Sequence, residues 1–206
     1  MTDEGVRERW NARHRDADIS EPAEWVLSHR RVLEARLPGR ALDVACGLGR
    51  HAVFLAELGF HVDAVDISDV AVARVRAVAD DRRLPIVAMR ADLTGDPDLP
   101  ADAYRVIVNT YFLERSLFPH LEAVLAPGGI VVFETFTREQ ASLPSGPSDE
   151  RLLLADDELL NAFPRLRVVE YRQAVVVAGE RPRAVASLLA ERVAGTPSIP
   201  ATADMA

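Results

Sequence analysis

A short glycine turn is the strongest chemical signal in this 206-residue sequence. Gly47 and Gly49 follow an apolar run that contains Asp43, and a helical pattern begins directly after them at Arg50. Glycine lets the backbone turn tightly and approach a ligand without a Cβ in the way. The next helix offers free N–H groups and the positive end of its dipole to an anionic group. This order of strand, turn and helix predicts either a plain structural turn or the floor of a ligand site.

Carboxylates follow the next two predicted strands. Asp66 lies nineteen residues after Gly47, and Asp92 follows the third strand. Because parallel strands end at one edge of a sheet, we expect both acids beside the glycine turn. Asp66 can accept hydrogen bonds from ribose hydroxyls, and Asp92 can accept one from an exocyclic amine. Either acid alone could cap local backbone, but the three features together predict a nucleoside site.

Nicotinamide cofactors and other adenosyl cofactors both use this layout. Ala52 fits the last slot of the dinucleotide-binding glycine pattern, so the pattern alone permits NAD. Three features disfavour it. Asp43 would repel a pyrophosphate and attract a cationic amino-acid ligand. The other two features are a Leu-Ala-Pro-Gly-Gly segment at 125–129 and a long hairpin that closes the chain.

The elements that position these residues alternate between strand and helix patterns. Strands are predicted at 41–46, 61–66, 85–89, 103–108 and 130–133, and helices at 50–58, 68–81, 116–125 and 156–163. Ser68, Ser116 and Asp156 are the predicted helix caps. Two β-rich runs, 166–177 and 183–193, predict an antiparallel hairpin. We therefore predict an α/β fold: a doubly wound, Rossmann-like, mostly parallel seven-stranded sheet with an antiparallel C-terminal hairpin.

One domain over residues 1–193 is predicted from the chain length. Its first 40 residues are expected to form two helices, at 6–15 and at 22–37, the second capped by Ser20. The segment 194–206 lacks a periodic apolar pattern and is predicted to be a disordered tail.

Composition excludes several chemistries. All 24 basic residues are arginine, so no lysine is present for a Schiff base or a phosphate loop. The lone Cys46 rules out an intrachain disulfide, and five scattered histidines lack metal-binding spacing, so we predict no metal. The net charge of −8 disfavours nucleic acid as a partner. No apolar run approaches the ~20 residues of a membrane span. We expect a cytoplasmic protein with no membrane partner.

From Trp10 to Val193 the sequence resembles class I S-adenosylmethionine-dependent methyltransferases. ALDVACGLGRHAVFLAELGFHVDAVDIS is similar to the first motif and ribose-binding acid of that class, MRADL to its adenine loop, and LAPGGIVVFETF to its late Pro-Gly-Gly strand. WNARHR, NTYFLERSLFP and LLLADDELLNAF resemble the small branch with tellurite-resistance and thiopurine-type enzymes. His14 departs from that branch, where relatives often carry tyrosine.

The resemblance implies S-adenosyl-L-methionine as the cofactor and a small molecule as the methyl acceptor. The implied contacts run from the methionine end (Asp43, Gly47, Gly49) past the sulfonium (Asn109) to the ribose and adenine (Asp66, Ile67, Asp92, Leu93). The resemblance also implies that residues 1–40 form a helical lid, in which Trp10 and His14 fold over the cofactor. In such a transfer the protein mainly aligns the reactants, which can contribute about 7–11 kcal/mol.

Acceptor-side candidates follow the fourth and fifth strands. Tyr111 with Phe112 could shape an acceptor pocket, Arg115 could attract an anionic acceptor, and Glu134 could act as a base. His51 could sense the cofactor carboxylate. We also expect a mobile loop at 140–150 to border the pocket.

Two further functions stay open at this stage. The chain could be a non-catalytic S-adenosylmethionine-binding regulatory protein or an NAD-dependent oxidoreductase. The identity of the acceptor, its methylated atom and the oligomeric state do not follow from the sequence.

Overall fold

Seven strands and seven α-helices make up the computed structural model, which describes residues 3–95, 97–178 and 181–195. The strands are β1 (Arg40–Val44), β2 (His61–Asp66), β3 (Ile86–Arg90), β4 (Tyr104–Thr110), β5 (Leu125–Phe136), β6 (Arg167–Ala178) and β7 (Arg181–Glu191). The helices are α1 (Asp3–Arg15), α2 (Glu24–Ser28), α3 (Arg30–Glu34), α4 (Arg50–Leu58), α5 (Asp69–Arg82), α6 (Leu117–Val124) and α7 (Glu158–Asn161). Two short 3-10 helices lie at Arg138–Ser142 and Glu150–Leu152.

The strands form one sheet in the order β3-β2-β1-β4-β5-β7-β6. The first five strands in this order pair in parallel, whereas β7 pairs antiparallel with both β5 and β6. The predicted fold class is therefore confirmed. Successive strands β1, β2 and β3 are added towards one edge of the sheet, whereas β4 and β5 are added on the other side of β1. The order therefore switches between β1 and β4, and α/β sheets bind ligands at the carboxyl ends of the strands at such a switch point.

Apolar side chains cover both faces of this sheet, which is why its inner strands are nearly continuous apolar runs. Alternate residues of β4 illustrate the arrangement. Val106 and Val108 belong to the core cluster that includes α4 and α5, whereas Ile107 belongs to the cluster that includes α6.

The predicted helix at 22–37 is instead the two short helices α2 and α3, so that prediction is wrong. The carbonyl oxygen of Trp25 accepts a hydrogen bond from Ser28 Oγ at 2.9 Å and lies 2.7 Å from His29 Nδ1. These side chains occupy an acceptor that a continuing helix would use for its own backbone. Ser20 does not cap either helix, because Ala23 holds the position before α2.

Several other boundaries also differ from the sequence prediction. The fifth strand begins at Leu125 rather than at residue 130. Ser68 caps α5 as predicted, accepting from the backbone of Ala71 at 3.1 Å. Ser116 makes no side-chain cap; the Glu114 carboxylate accepts from the Ser116 backbone instead, at 3.0 Å. The predicted cap Asp156 is also wrong, because the residue before α7 is Asp157.

The predicted disordered tail at 194–206 can be compared with the structure only in part, because residues 196–206 lie outside the described residues.

None of the described helices combines the length and apolar character that crossing a bilayer requires.

Gly129 lies inside β5, and its lack of a side chain allows β4 to pack closely. A Cβ at this position would lie 2.8 Å from the carbonyl oxygens of Ala126 and Tyr104. We expect Gly129→Ala to lower the free energy of unfolding by about 1–3 kcal/mol in urea denaturation, because the crowded atoms are backbone. Gly95→Ala is the control, since within the described residues no atom other than those of its chain neighbours lies within 4 Å of its Cβ position. Equal stability of the two variants would contradict this account of β5.

Candidate functional site

A cavity of about 340 Å³ lies at the carboxyl edge of the sheet, between α1 and the ends of β1, β2, β3 and β4. Its volume is typical of a small-molecule site. The residues that line it are Val6, Trp10, Arg13, His14, Asp18, Ser20, Ala45, Cys46, Gly47, Leu48, Arg50, His51, Asp66, Ile67, Ala91, Asp92, Leu93, Thr94, Thr110, Tyr111 and Phe112.

Asp66 fixes the glycine turn on the cavity floor. Its Oδ2 accepts from the backbone N–H of Gly47 at 2.8 Å, and its Oδ1 accepts from that of Ser68 at 2.8 Å. Gly47 has a φ of +52°, a left-handed conformation that glycine adopts without a Cβ penalty. Each carboxylate oxygen has a further lone pair, so Asp66 can still accept from a ligand hydroxyl.

The loop after β3 provides the second predicted acid. Asp92 Oδ1 accepts from the backbone N–H and the hydroxyl of Thr94, at 2.8 and 2.7 Å. These bonds hold the side chain at the cavity wall while Oδ2 makes no hydrogen bond to the described residues. Ile67 and Leu93 line the same part of the cavity, so the structure brings four of the predicted adenosine-side residues together.

Three predicted cofactor residues do not line the cavity. Asp43 is buried behind the glycine turn, where Oδ2 accepts from the backbone of Ala52 at 2.9 Å and ties β1 to α4. The Asn109 side chain donates to the carbonyl oxygen of Phe112 at 2.9 Å and holds the turn after β4. Gly49 faces α5 instead of the cavity, and a Cβ there would lie 2.7 Å from Val75. These residues shape the site from outside it.

Helix α1 covers the cavity with two aromatic rings. Trp10 and His14 both line it, with their ring centroids 5.5 Å apart. Asn11 on the same helix accepts from the Ser68 hydroxyl at 2.7 Å, and Arg74 donates to the carbonyl oxygen of His14 at 2.9 Å. Sequence reasoning missed both anchors because neither bond is local in sequence.

The surroundings of the His14 ring at the cavity wall favour its neutral form. Burial lowers its pKa, although the charge of Asp66 acts in the opposite direction. Its Nδ1 is buried and has no hydrogen-bond partner among residues 3–95, 97–178 and 181–195.

Tyr111 closes the other end of the cavity. Its φ of +59° places a non-glycine residue in the left-handed region, a costly conformation that often marks a functional site. The hydroxyl donates to Glu134 Oε1 at 2.9 Å and accepts from Arg183 Nη1 at 2.8 Å. Burial and the nearby charge of Glu134 raise the Tyr111 pKa. The hydroxyl therefore stays protonated and does not act as a base.

Glu134 and Arg115, the other acceptor-side candidates, are not among the residues that line the cavity. Glu134 is buried and also accepts from the Ser187 hydroxyl at 2.8 Å and from Arg172 at 3.3 Å. These bonds hold Glu134 within the protein and outside the cavity lining, which argues against a base. Arg115 forms an ion pair with Glu158 and holds the segment before α7, so it is not placed to attract an acceptor.

The segment at 140–150 does not border the cavity, contrary to the sequence prediction. Gln140 is buried, and its Oε1 accepts from the backbone N–H of Ala184 on β7 at 2.8 Å. Its Nε2 donates to the carbonyl oxygen of Ser145. These bonds attach the segment to the antiparallel hairpin.

A family model described as a methyltransferase domain matches residues 13–174, most of the chain. The chain belongs to this methyltransferase family. Among curated proteins, Hemagglutinin 1 of Eikenella corrodens is 28% identical over 151 residues, covering 71% of this chain and 50% of that protein. The methyltransferase chain thus spans about half the length of this curated relative.

Solved structures support the same fold for this member of the family. TehB from Haemophilus influenzae aligns with a TM-score of 0.68 at 20% identity, covering 82% of this chain and 61% of that one. Geranyl diphosphate C-methyltransferase from Streptomyces coelicolor A3(2) aligns with a TM-score of 0.67 at 15% identity, covering 93% and 98%. At these identities the likeness is one of fold. Together with the family match, this likeness confirms the resemblance to class I S-adenosylmethionine-dependent methyltransferases.

Three residues at or near the cavity were not selected from the sequence: Arg50, Thr110 and Arg183. The sequence could have indicated Arg50, because the first residue of the helix after a glycine turn must lie near whatever that turn binds. No sequence pattern indicates that Thr110 or Arg183 lies near the site. Among the described residues no group of three or more His, Cys, Asp or Glu side chains is arranged to hold a metal ion.

A buried acid and a buried histidine lie side by side behind the cavity floor. His51 Nδ1 is 3.9 Å from Asp43 Oδ1, and His51 Nε2 accepts from the backbone N–H of Ala23 at 3.1 Å. Burial raises the pKa of Asp43 to about 7 and lowers that of His51 to about 3. His51 lines the cavity but is uncharged near neutral pH, so it does not act as a cationic sensor of a carboxylate.

These two shifts have opposite effects on stability. The raised pKa of Asp43 contributes stability at low pH that is lost as the pH rises from about 4 toward 7. The lowered pKa of His51 contributes stability above pH 6.5 that is lost as the pH falls toward 3. Between about pH 4 and 6.5 the two slopes largely cancel, because folding binds one proton at Asp43 and releases one at His51.

Single substitutions should therefore separate the two slopes. We expect the stability of Asp43→Asn to fall more steeply than wild type as the pH is lowered from 6.5 to 4, by up to about 1.4 kcal/mol per pH unit. His51→Gln should change by a similar amount in the opposite direction. Urea denaturation at pH 4.5, 5.5 and 6.5 measures both, with wild type as the reference. Deviations of the same sign in both variants would contradict the neutral pair.

Proposed function

We propose that this protein is an S-adenosylmethionine-dependent methyltransferase that acts on a small-molecule acceptor by in-line transfer. The observation that carries the proposal is the meeting of Asp66, Asp92 and the Gly47 turn at one cavity in a chain of the methyltransferase family. The S. coelicolor relative is by name a methyltransferase for geranyl diphosphate, a small molecule, and it supports this acceptor class.

The lining residues fit an adenosyl amino acid. Asp66 would accept from the ribose, Asp92 from the adenine amine, and Ile67 and Leu93 would pack against the base. Gly47 lines the cavity without a side chain, so the methionine portion can approach its backbone closely. S-adenosylmethionine, when bound, supplies a methyl group activated by its sulfonium.

The contribution of the protein is mainly alignment. Trp10 and His14 cover the cavity and exclude water, while Tyr111 and Phe112 form its wall on the acceptor side. The Tyr111 hydroxyl is held by Glu134 and Arg183, so it can define the position of an acceptor without exchanging a proton. Orientation of this kind can contribute about 7–11 kcal/mol to the rate.

The proposal extends to the setting of the protein. We propose a single domain over residues 1–193, with the lid confined to α1 and the segment up to Ser20, because Trp25 and Leu33 of α2 and α3 are core residues. We propose a cytoplasmic location and no nucleic-acid partner. The buried free thiol of Cys46 and the net charge of −8 support these two proposals.

Methyl transfer is tested with S-adenosylmethionine carrying a labelled methyl group, screened against thiols, metalloid oxyanions, amines and carboxylates. Thermal unfolding with S-adenosylhomocysteine and with NAD identifies the cofactor. A ligand at a hundredfold excess over its dissociation constant stabilises the folded state by about 2.7 kcal/mol. Stabilisation by NAD alone would favour an oxidoreductase. Binding of the adenosyl cofactor without transfer to any acceptor would favour a regulatory protein.

Asp92→Asn tests the adenine contact. The amide oxygen can still accept from Thr94, but the NH₂ group would then face the cavity and could not accept from an adenine amine. We expect S-adenosylhomocysteine to bind about tenfold or more weakly by calorimetry, the loss of about 1–3 kcal/mol expected for an unmade hydrogen bond. The exposed Asp98, changed to Asn, is the matched control and should bind like wild type. Equal affinities of both variants would place the adenine elsewhere.

A further inference from the structure

Most of the side chains that the sequence assigned to the amino-acid end of the cofactor do not line the cavity. Asp43, Gly49 and Asn109 are absent from its wall. An adenosyl amino acid nevertheless carries a carboxylate, which needs hydrogen-bond donors once water is excluded. Thr110, the last residue of β4, lines the cavity, and its hydroxyl can donate.

The neighbouring His51 ring directs an N–H at the Thr110 hydroxyl oxygen. Its Nε2 accepts from the backbone N–H of Ala23 at 3.1 Å, so Nε2 carries no proton and the neutral ring is protonated at Nδ1. Nδ1 lies 3.5 Å from Thr110 Oγ1 and 3.9 Å from Asp43 Oδ1. Thr110 is therefore the nearer acceptor for the ring N–H.

A second N–H reaches the same hydroxyl oxygen. Arg50 Nη2 donates to Thr110 Oγ1 at 3.3 Å. Both bonds are long, but together they use the two lone pairs that a hydroxyl oxygen offers. The proton of the Thr110 hydroxyl makes no hydrogen bond within the described part of the chain. It is left for an acceptor atom in the cavity.

The charges near Thr110 suit a carboxylate as that acceptor. Arg50 is a cation beside the hydroxyl, and Asp43 and Glu134 offset part of its charge. Burial lowers the pKa of His51 to about 3, so the ring that orients the hydroxyl is neutral. A hydroxyl also donates more strongly to an ionised acceptor than to a neutral one.

The register of the sheet places Thr110 beside the glycine turn. Val44 of β1 pairs with Asn109 of β4, so Thr110 is level with Ala45, where the turn begins. The groups that line the cavity then follow the strand order β3-β2-β1-β4, from Asp92 to Thr110. At about 4.8 Å per strand, β3 and β4 lie roughly 14 Å apart, a distance that an extended adenosyl amino acid can span.

We propose that the Thr110 hydroxyl donates a hydrogen bond to the carboxylate at the amino-acid end of the bound cofactor. This inference rests on the proposed function, and it replaces the sequence assignment of that end to Asp43. Arg50 and His51 hold the hydroxyl oxygen so that its proton is available to the ligand. The contact distinguishes S-adenosylmethionine and its product from adenosyl compounds that lack a carboxylate.

Calorimetry on the full chain tests the inference with S-adenosylhomocysteine and decarboxylated S-adenosylhomocysteine, which lacks only the carboxylate. We expect Thr110→Val to weaken S-adenosylhomocysteine about tenfold and to leave the decarboxylated compound unchanged, because a hydrogen bond to a charged group is lost. Thr110→Ala should show the same loss, which separates the hydroxyl from the fit of the valine methyl groups. Thr110→Ser keeps a hydroxyl and should keep the wild-type ratio of the two affinities.

Thr94→Val is the matched control, because Thr94 lines the adenosine side of the cavity and binds Asp92. It should change the affinities of both compounds by the same factor. Failure of both compounds to bind the wild type would contradict the proposed function itself. Binding without a preference for the carboxylate, or an equal effect of the Thr110 variants on both compounds, would overturn only the Thr110 contact.

Discussion

The hydrogen bonds of the Asp66 carboxylate are the interaction on which the site depends. One oxygen binds the N–H of Gly47 and the other binds the N–H of Ser68, so a side chain at the end of β2 fixes both the turn after β1 and the start of α5. Ser68 in turn holds Asn11 of the lid helix. The floor, one wall and the cover of the cavity therefore share a single anchor, and a ligand that binds Asp66 contacts the centre of this network.

Charge is distributed unevenly around the cavity. Asp66 and Asp92 lie at the ends of β2 and β3, where an adenosine would place its donors, whereas Arg50 lies at the opposite wall near Tyr111. Behind the floor, burial raises the pKa of Asp43 and lowers that of the neighbouring His51, so the neutral form of each side chain is favoured. The low-dielectric layer under the turn strengthens the interactions of the charges that do face the cavity.

The sequence was sufficient to predict the sheet and the end of it that binds ligand. Strands buried on both faces give apolar runs, and glycine or an acid marks where they end, so Gly47, Asp66 and Asp92 could be assigned to one edge. Side-chain direction was less predictable. β1 is buried on both faces, so burial does not say whether Asp43 points toward the cavity or toward α4, and it points toward α4. Arg183 comes from a strand about 130 residues after Arg50, and no local pattern connects the two.

A crystal structure of the protein with S-adenosylhomocysteine tests the central claim most directly. The account predicts ribose hydroxyls within hydrogen-bond distance of Asp66, the adenine amine at Asp92 and the sulfur atom facing Thr110 and Tyr111. An adenosyl group bound away from both carboxylates, or a cavity closed by Trp10 and His14 with the ligand outside it, would contradict the account.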